Sequence, residues 1–378
     1  MVMIFQALIL EAIFAGLALA LAIGLVSLLG GRLIGPEPRS LLGLRLSMIA
    51  TAGAAFLGSL GVLLLAAQLL GAGPGILYGG VLFVALFMAL QWLFAPAIIN
   101  AAYRTRPPSL AEEWLVARLE PLARRAGLKR APQLRIAEVD APNAFAYGSP
   151  LFGNYVAVTR GLLELLPPEE VEAVLGHELG HLKHRDVAAI LALSLLPAAM
   201  YYIGRSLLMW GWLVGSSGRR SGGNATLYYV GAGLLLVTAG FLFHFLVTHF
   251  SRLREYYADA FSGKLTGAPR LLQRALARLY VAYKEAPELS ESANKTAAML
   301  FIVNYLIWAY GAPAYDEFWG RRKSRRPRAY FGDIDRLVEE LMRRREGGLS
   351  ELFSTHPPIS KRLRFLENLR VSLEARAL

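Results

Sequence analysis

The chain has 378 residues, of which 55% are hydrophobic and 18% are charged, and its net charge is +12 at pH 7. With a mean hydropathy of +0.41 and apolar residues gathered in long blocks, this composition excludes a soluble globular domain and predicts a membrane protein. The absence of cysteine excludes a disulfide framework and is consistent with a large cytoplasmic part.

Three apolar segments at residues 3–29, 47–70 and 76–99 are each long enough to cross about 30 Å of hydrocarbon as a helix. Arginines lie between the first and second segments and after the third, whereas the link between the second and third carries no charge. Since positively charged loops stay in the cytoplasm, we expect an outside N-terminus and a cytoplasmic region from about residue 100 to 186.

A β-hairpin is predicted after the third span. Residues 143–148, Asn-Ala-Phe-Ala-Tyr-Gly, precede the turn residues Ser149 and Pro150 and then an alternating, β-branched segment at residues 154–159. From these residues alone, an ordinary structural hairpin and a binding strand are equally good interpretations.

The most informative pattern is His-Glu-Leu-Gly-His, formed around His177, Glu178 and His181 in a predicted helix at residues 171–182. Histidines four apart project from one helix face, so both can bind one metal ion while the glutamate reaches a metal-bound water. The pattern is typical of a zinc hydrolase. A solvated helix face would explain the glutamate but not three of the six histidines between residues 177 and 184.

Residues 187–204 and 226–247 predict a fourth and a fifth span. We expect the fourth to end near Arg205, with an aromatic belt of Tyr201, Tyr202, Trp210 and Trp212 at the membrane surface. Residues 296–311 are a shorter apolar segment interrupted by Asn304, which predicts an interfacial or buried helix.

A zinc site with two histidines needs a third protein ligand and an open position for water. The candidates are His184, Asp186, Glu255, Asp259 and His356. A continuous helix would turn His184 and Asp186 away from the metal. Glu255 fits better, because it lies eight residues after the fifth span and His181 six residues before the fourth, both roughly 10 Å above the same membrane face. Asp259, one turn beyond Glu255, is suited to orienting a ligand imidazole.

Four segments in order, residues 143–148, 169–181, 251–260 and 354–358, resemble the HtpX heat-shock proteases, membrane metallopeptidases related to the CAAX prenyl proteases. The resemblance implies zinc held by His177, His181 and Glu255, with Glu178 as the general base. It also implies proteolysis of membrane proteins in quality control. HtpX proteins typically have two spans before the catalytic region, whereas three are predicted here.

The resemblance gives roles to two further motifs. A strand edge beside the metal would hold an extended substrate by main-chain hydrogen bonds, which implicates Asn143, Ala144, Phe145 and Ala146. In the C-terminal motif, the resemblance suggests that His356 and Arg362 stabilise the developing oxyanion. By itself, a histidine in a proline turn would be structural.

The predicted fold is mainly α, a polytopic membrane helical bundle with a cytoplasmic, zincin-like metalloprotease domain that contains a small β-hairpin or sheet. Four parts follow: residues 1–100 with three spans, 101–186 with the hairpin and the His-Glu-Leu-Gly-His helix, 187–250 as a two-span hairpin, and 251–378 with the third ligand and the C-terminal motif.

We expect a zinc endopeptidase of the plasma or inner membrane that hydrolyses misfolded or damaged membrane proteins near the cytoplasmic face. The alternatives are a prenyl-protein protease and a non-catalytic membrane scaffold with a structural zinc. The expected partners are unfolded or membrane polypeptides and the lipid bilayer. A dense basic run at residues 321–328 predicts contact with anionic headgroups, and no nucleic-acid partner is expected.

Overall fold

The computed structural model describes residues 41–70, 74–216, 223–285, 332–344 and 354–377. Within these residues the helices and strands are α1 Leu41–Leu69, α2 Pro74–Ala102, α3 Glu113–Arg125, β1 Gln133–Ala137, β2 Ala144–Ser149, β3 Gly153–Thr159, α4 Arg160–Leu165, α5 Pro168–His184, α6 Asp186–Ser216, α7 Gly223–Thr266, α8 Pro269–Glu285, α9 Ile334–Arg343 and α10 Ile359–Ala377. A short 3-10 helix, Leu110–Glu112, precedes α3.

Four of the described helices are long and apolar enough to cross a membrane, namely Leu41–Gln68, Tyr78–Ala102, Asp186–Leu213 and Thr226–Thr266. They correspond to the predicted second to fifth spans. The predicted first span, residues 3–29, the segment at 296–311 and the basic run at 321–328 lie outside the described residues. Large apolar side chains such as Leu82 and Phe83, each 70% exposed, cover the outer surface of α2 and suit contact with lipid.

The predicted fourth span lies within α6, which continues past Arg205 without interruption to Ser216. Arg205 is exposed on the surface of this helix. Helix α7 likewise continues beyond the predicted span, to Thr266. Helices α6 and α7 pack along their length around Met200 and Leu236, both fully buried.

The sheet has three strands in the order β1-β3-β2. Strand β2 pairs antiparallel with β3, with Ala146 opposite Val156, so the predicted hairpin is confirmed. Strand β1 pairs parallel with β3 and was not predicted from the sequence. Because β3 is central, β2 is an edge strand whose outer side is available for other contacts.

One apolar core joins the sheet to the helices outside the membrane. It contains Ile136 and Val158 from the sheet, Leu175 from α5 and Leu363 and Leu366 from α10. Each of these side chains is fully buried, and burying a leucine contributes about 1.5–3 kcal/mol. The core therefore links the C-terminal helix α10 to α5, the helix that carries the paired histidines, through α8, which packs against both.

Candidate metal centre and active site

Helix α5 presents its two histidines to one point. The Nε2 atoms of His177 and His181 are 3.1 Å apart, as the four-residue spacing on one helix face requires. Gly180, between them, allows α5 to approach α7 closely, since a Cβ there would lie 3.3 Å from the Cα of Ala258. The absence of a side chain at this position brings the histidines next to the acidic residues of α7.

Glu255, on α7, completes a cluster of three donors with His177 and His181. Its Oε1 is 3.5 Å from the Nε2 of His181, and its Oε2 is 3.8 Å from the Nε2 of His177. A tetrahedral ion with bonds of about 2.0–2.1 Å separates its ligand atoms by about 3.3–3.4 Å. The three donors therefore fit a metal ion of this size with little movement.

A carboxylate contacts the outer nitrogen of each imidazole. Asp259 Oδ1 is 2.9 Å from the Nδ1 of His177, and Asp186 Oδ2 is 2.7 Å from the Nδ1 of His181. These contacts fix the ring orientations and leave both Nε2 atoms free for a metal. Asp186 also forms an ion pair with Arg254 of α7.

Asp186 was expected to turn away from the metal site on a helix continuous with α5, but the helix breaks before it. Arg185 adopts a left-handed conformation with φ 54°, so α5 ends there and Asp186 begins α6. This break returns Asp186 to the back of His181. His184 lies elsewhere, with its Nδ1 2.7 Å from the carbonyl oxygen of Gly180 and its ring packed against Tyr257 and Phe261.

Of the two residues predicted in the C-terminal motif, Arg362 is buried in the site and His356 contacts it from the surface. Arg362 donates to both oxygens of Asp259, at 2.8 and 2.6 Å, and its Nη1 is 3.3 Å from Glu255 Oε2. His356 Nδ1 is 2.9 Å from the same Glu255 oxygen, and its side chain is 67% exposed. The charge of Glu255 raises the pKa of His356. Burial lowers the pKa of Arg362, but the bonds to Asp259 outweigh burial and raise it.

Glu178 lies between the metal cluster and the sheet. Its side chain is buried, and burial raises the pKa of its carboxyl group although the two histidines oppose the change. The backbone N–H of Ala146 donates to this carboxylate. A carboxylate held beside an open metal position has the environment of a general base.

The outer edge of β2 borders the same site. Phe145 turns away from it and packs against Tyr103 and Tyr147. The Ala146 N–H and the Gly148 carbonyl both point away from β3, since they bond to Glu178 and to the Trp92 indole, the latter at 3.0 Å. At the start of the strand, the Asn143 N–H donates to Thr159 Oγ1. A cleft of about 900 Å³ opens beside β2 and reaches His181.

The model of peptidase family M48 matches residues 109–370, which include all the clustered side chains.

The chain belongs to peptidase family M48.

Curated relatives agree with this assignment. A protease HtpX homolog of Aeropyrum pernix is 52% identical over 319 residues, covering 82% of this chain and 94% of the relative. A protease HtpX homolog of Pyrobaculum calidifontis is 40% identical over 296 residues, covering 78% and 77%. The predicted resemblance is confirmed: the protein is an HtpX-type membrane metalloprotease.

Among solved structures, Ste24p of S. mikatae matches with 18% identity and a TM-score of 0.45. The match covers 85% of this chain, which spans 65% of the length of that structure's chain. The predicted fold class, a polytopic helical membrane protein with a metalloprotease domain and a small sheet, is also confirmed.

Proposed function

We propose that this protein is a zinc-dependent endopeptidase that cleaves misfolded or damaged membrane proteins close to the cytoplasmic face of the membrane. The observation that supports it most strongly is the convergence of His177, His181 and Glu255, with the buried Glu178 beside them. Two imidazoles and one carboxylate form a donor set of catalytic zinc sites, which keep a fourth position open.

The proposed mechanism divides the work among the chain's own residues. When bound, zinc polarises a peptide carbonyl and lowers the pKa of a water molecule toward 7. Glu178 takes the proton from the attacking water and delivers it to the leaving nitrogen. The outer edge of β2, from Asn143 to Ala146, holds the substrate extended and places its carbonyl beside Glu178.

The contacts favour separate roles for His356 and Arg362. The side chain of His356 is exposed beside Glu255, where it can meet a bound substrate, so we assign it to the developing oxyanion. The guanidinium of Arg362 is already bonded to Asp259 and Glu255. We therefore infer that Arg362 acts by holding these two carboxylates in place, which revises the oxyanion role suggested by the resemblance.

The location of the site supports cleavage near the membrane. Glu255 lies on α7, the same unbroken helix that crosses the bilayer. Arg45, near the start of α1, donates to the Tyr257 hydroxyl at 2.6 Å, two residues from Glu255. Since positively charged ends of spans stay in the cytoplasm, this contact favours a cytoplasmic active site and a plasma or inner membrane location.

The two alternatives remain distinguishable. A prenyl-protein protease would require a lipidated peptide, and a scaffold with structural zinc would have no use for Glu178 beside an open metal position. The test uses protein reconstituted into liposomes with a folded membrane protein, a destabilised variant of it, and a prenylated peptide. We expect cleavage of the destabilised protein, with Glu178→Gln as the inactive control. Cleavage of the prenylated peptide alone would contradict the proposed substrate class.

A further inference from the structure

The cleft beside β2 has a basic wall. Its lining includes Ala146 and His181 at the metal end, and Lys129, Arg130, Lys183 and Arg185 further along. All four cationic side chains belong to exposed residues. In the part of the chain that the structure describes, none of the four forms an ion pair with a carboxylate, whereas Asp186, the acidic residue of the lining, is paired with Arg254.

Two backbone features hold the cations at the cleft. Lys183 Nζ donates to the Gly127 carbonyl at 2.8 Å, which ties the loop carrying Lys129 and Arg130 to α5. Gly127 has φ +68°, a backbone conformation that glycine adopts without strain. A Cβ at this position would lie 2.9 Å from Lys183 Nζ, so glycine also leaves room for the hydrogen bond. The left-handed Arg185 lies at the junction of α5 and α6.

The edge strand indicates which part of a substrate meets this wall. Antiparallel pairing is the more stable arrangement for an added strand, so a substrate chain would pass Gly148 before it reaches Ala146 and Glu178. The indole N–H of Trp92 already donates to the Gly148 carbonyl, so this carbonyl is not free to accept a hydrogen bond from a substrate. Substrate residues that precede the scissile bond therefore leave the strand edge at this point and lie in the cleft.

We propose that the cleft is a specificity site for acidic side chains on the N-terminal side of the scissile bond. The inference extends the proposed function and depends on it. Four cations without acidic partners attract a carboxylate, and the continuity of the cleft with His181 and Ala146 favours a substrate segment over a lipid headgroup.

The test uses pairs of peptides taken from a mapped cleavage site in a denatured substrate, assayed in neutral detergent. The two peptides differ only in carrying two Glu or two Gln before the scissile bond. Exposed ion pairs are each weak and are screened by salt, so several together give a preference of about tenfold in kcat/KM for the Glu peptide. In high salt the two peptides approach equal kcat/KM. The preference comes from a lower KM for the Glu peptide, with a similar kcat for both.

The double variant Lys129→Gln, Arg130→Gln is expected to lower this preference severalfold. Lys264→Gln, an exposed cation on α7 away from the cleft, is the matched control and leaves the preference unchanged. A thermal melt of each variant in detergent checks that it is folded.

Several results would overturn the inference. Equal cleavage of the Glu and Gln peptides by the unmodified protein would do so while leaving the endopeptidase function intact. If Lys129→Gln, Arg130→Gln keeps the full preference for the Glu peptide, these cations do not bind the substrate carboxylates and are assigned to another partner, such as anionic lipid. If the unmodified protein cleaves neither peptide nor the denatured substrate, the proposed function fails as well.

Discussion

At the scale of single residues, each side chain of the metal cluster is held by a charged neighbour. His177 and His181 contact Asp259 and Asp186 through their Nδ1 atoms, and Glu255 lies against Arg362. Such neighbours fix the ligand geometry before a metal arrives, and their loss typically weakens metal binding by about 10- to 100-fold.

Metal titration against a competing chelator distinguishes ligands from supporting residues. We expect Glu255→Ala to lose nearly all high-affinity zinc, and Asp186→Asn or Asp259→Asn to lose about 10- to 100-fold in affinity. His184→Ala serves as the control and changes little, since its ring packs on Tyr257 and Phe261. A large loss with His184→Ala and none with Glu255→Ala would contradict the proposed ligand set.

The C-terminal pair is separated by measuring zinc content and turnover together. His356→Ala is expected to keep its zinc and lose turnover on the order of 10²-fold, as removal of an oxyanion donor would. Arg362→Ala should lose stability and zinc affinity as well, because Asp259 becomes a buried charge without its partner. Full turnover in His356→Ala would return that residue to a structural role.

At the scale of elements, the close packing of α5 against α7 brings the ligands together. The two helices carry His177, His181 and Glu255, and Gly180 allows their approach. The α6–α7 hairpin brings the start of one span and the end of the next to the same membrane face. As a result, residues about 75 positions apart in the chain meet at the candidate metal site.

Enlarging Gly180 tests this packing without touching a ligand. Gly180→Leu is expected to push α7 away from α5, at a cost of about 1–3 kcal/mol in stability and with weaker zinc binding. Gly231→Leu, also in a helix, is the matched control, since nothing lies within 4 Å of a Cβ at that position. Equal zinc affinity in the two variants would show that the interhelical distance is not critical.

Features that depend on a short stretch of sequence were predicted correctly. The spacing of His177 and His181 indicated the metal-binding face, and alternation with a turn indicated the β2–β3 hairpin. The role of Asp186 depends on the left-handed backbone at Arg185, which no glycine or proline signals. Strand β1 pairs parallel with β3 about 20 residues later, a non-local contact for which Leu134 and Ile136 gave only a short alternating pattern.

At the scale of the whole molecule, the membrane helices and the catalytic part form a continuous body. Trp92 and Asn100 of α2 bond to Gly148 and Tyr147 of the edge strand, at 3.0 and 2.6 Å. Arg45 of α1 contacts Tyr257 beside the metal site. The position of the site relative to the bilayer therefore follows from the orientation of these helices.

Cysteine labelling tests the predicted orientation and the three spans before the catalytic region. The native chain has no cysteine, so single cysteines at Ser40, Gly73 or Ser217, positions outside the described residues, report their own exposure. We expect a membrane-impermeant thiol reagent to label the Gly73 and Ser217 positions in whole cells and to spare Ser40. Labelling at Ser40 but not at Gly73 would mean that the first segments are inverted or that only two spans precede the catalytic region.

Metal binding by the cluster and the role of Glu178 as the base are tested together in one preparation of Glu178→Gln, by measuring its zinc content and its cleavage of a denatured protein. We expect one zinc per chain and loss of cleavage, because the substitution removes the proton acceptor and leaves His177, His181 and Glu255 in place. Cleavage near the unmodified rate by the zinc-loaded variant would contradict the assignment of Glu178 as the base.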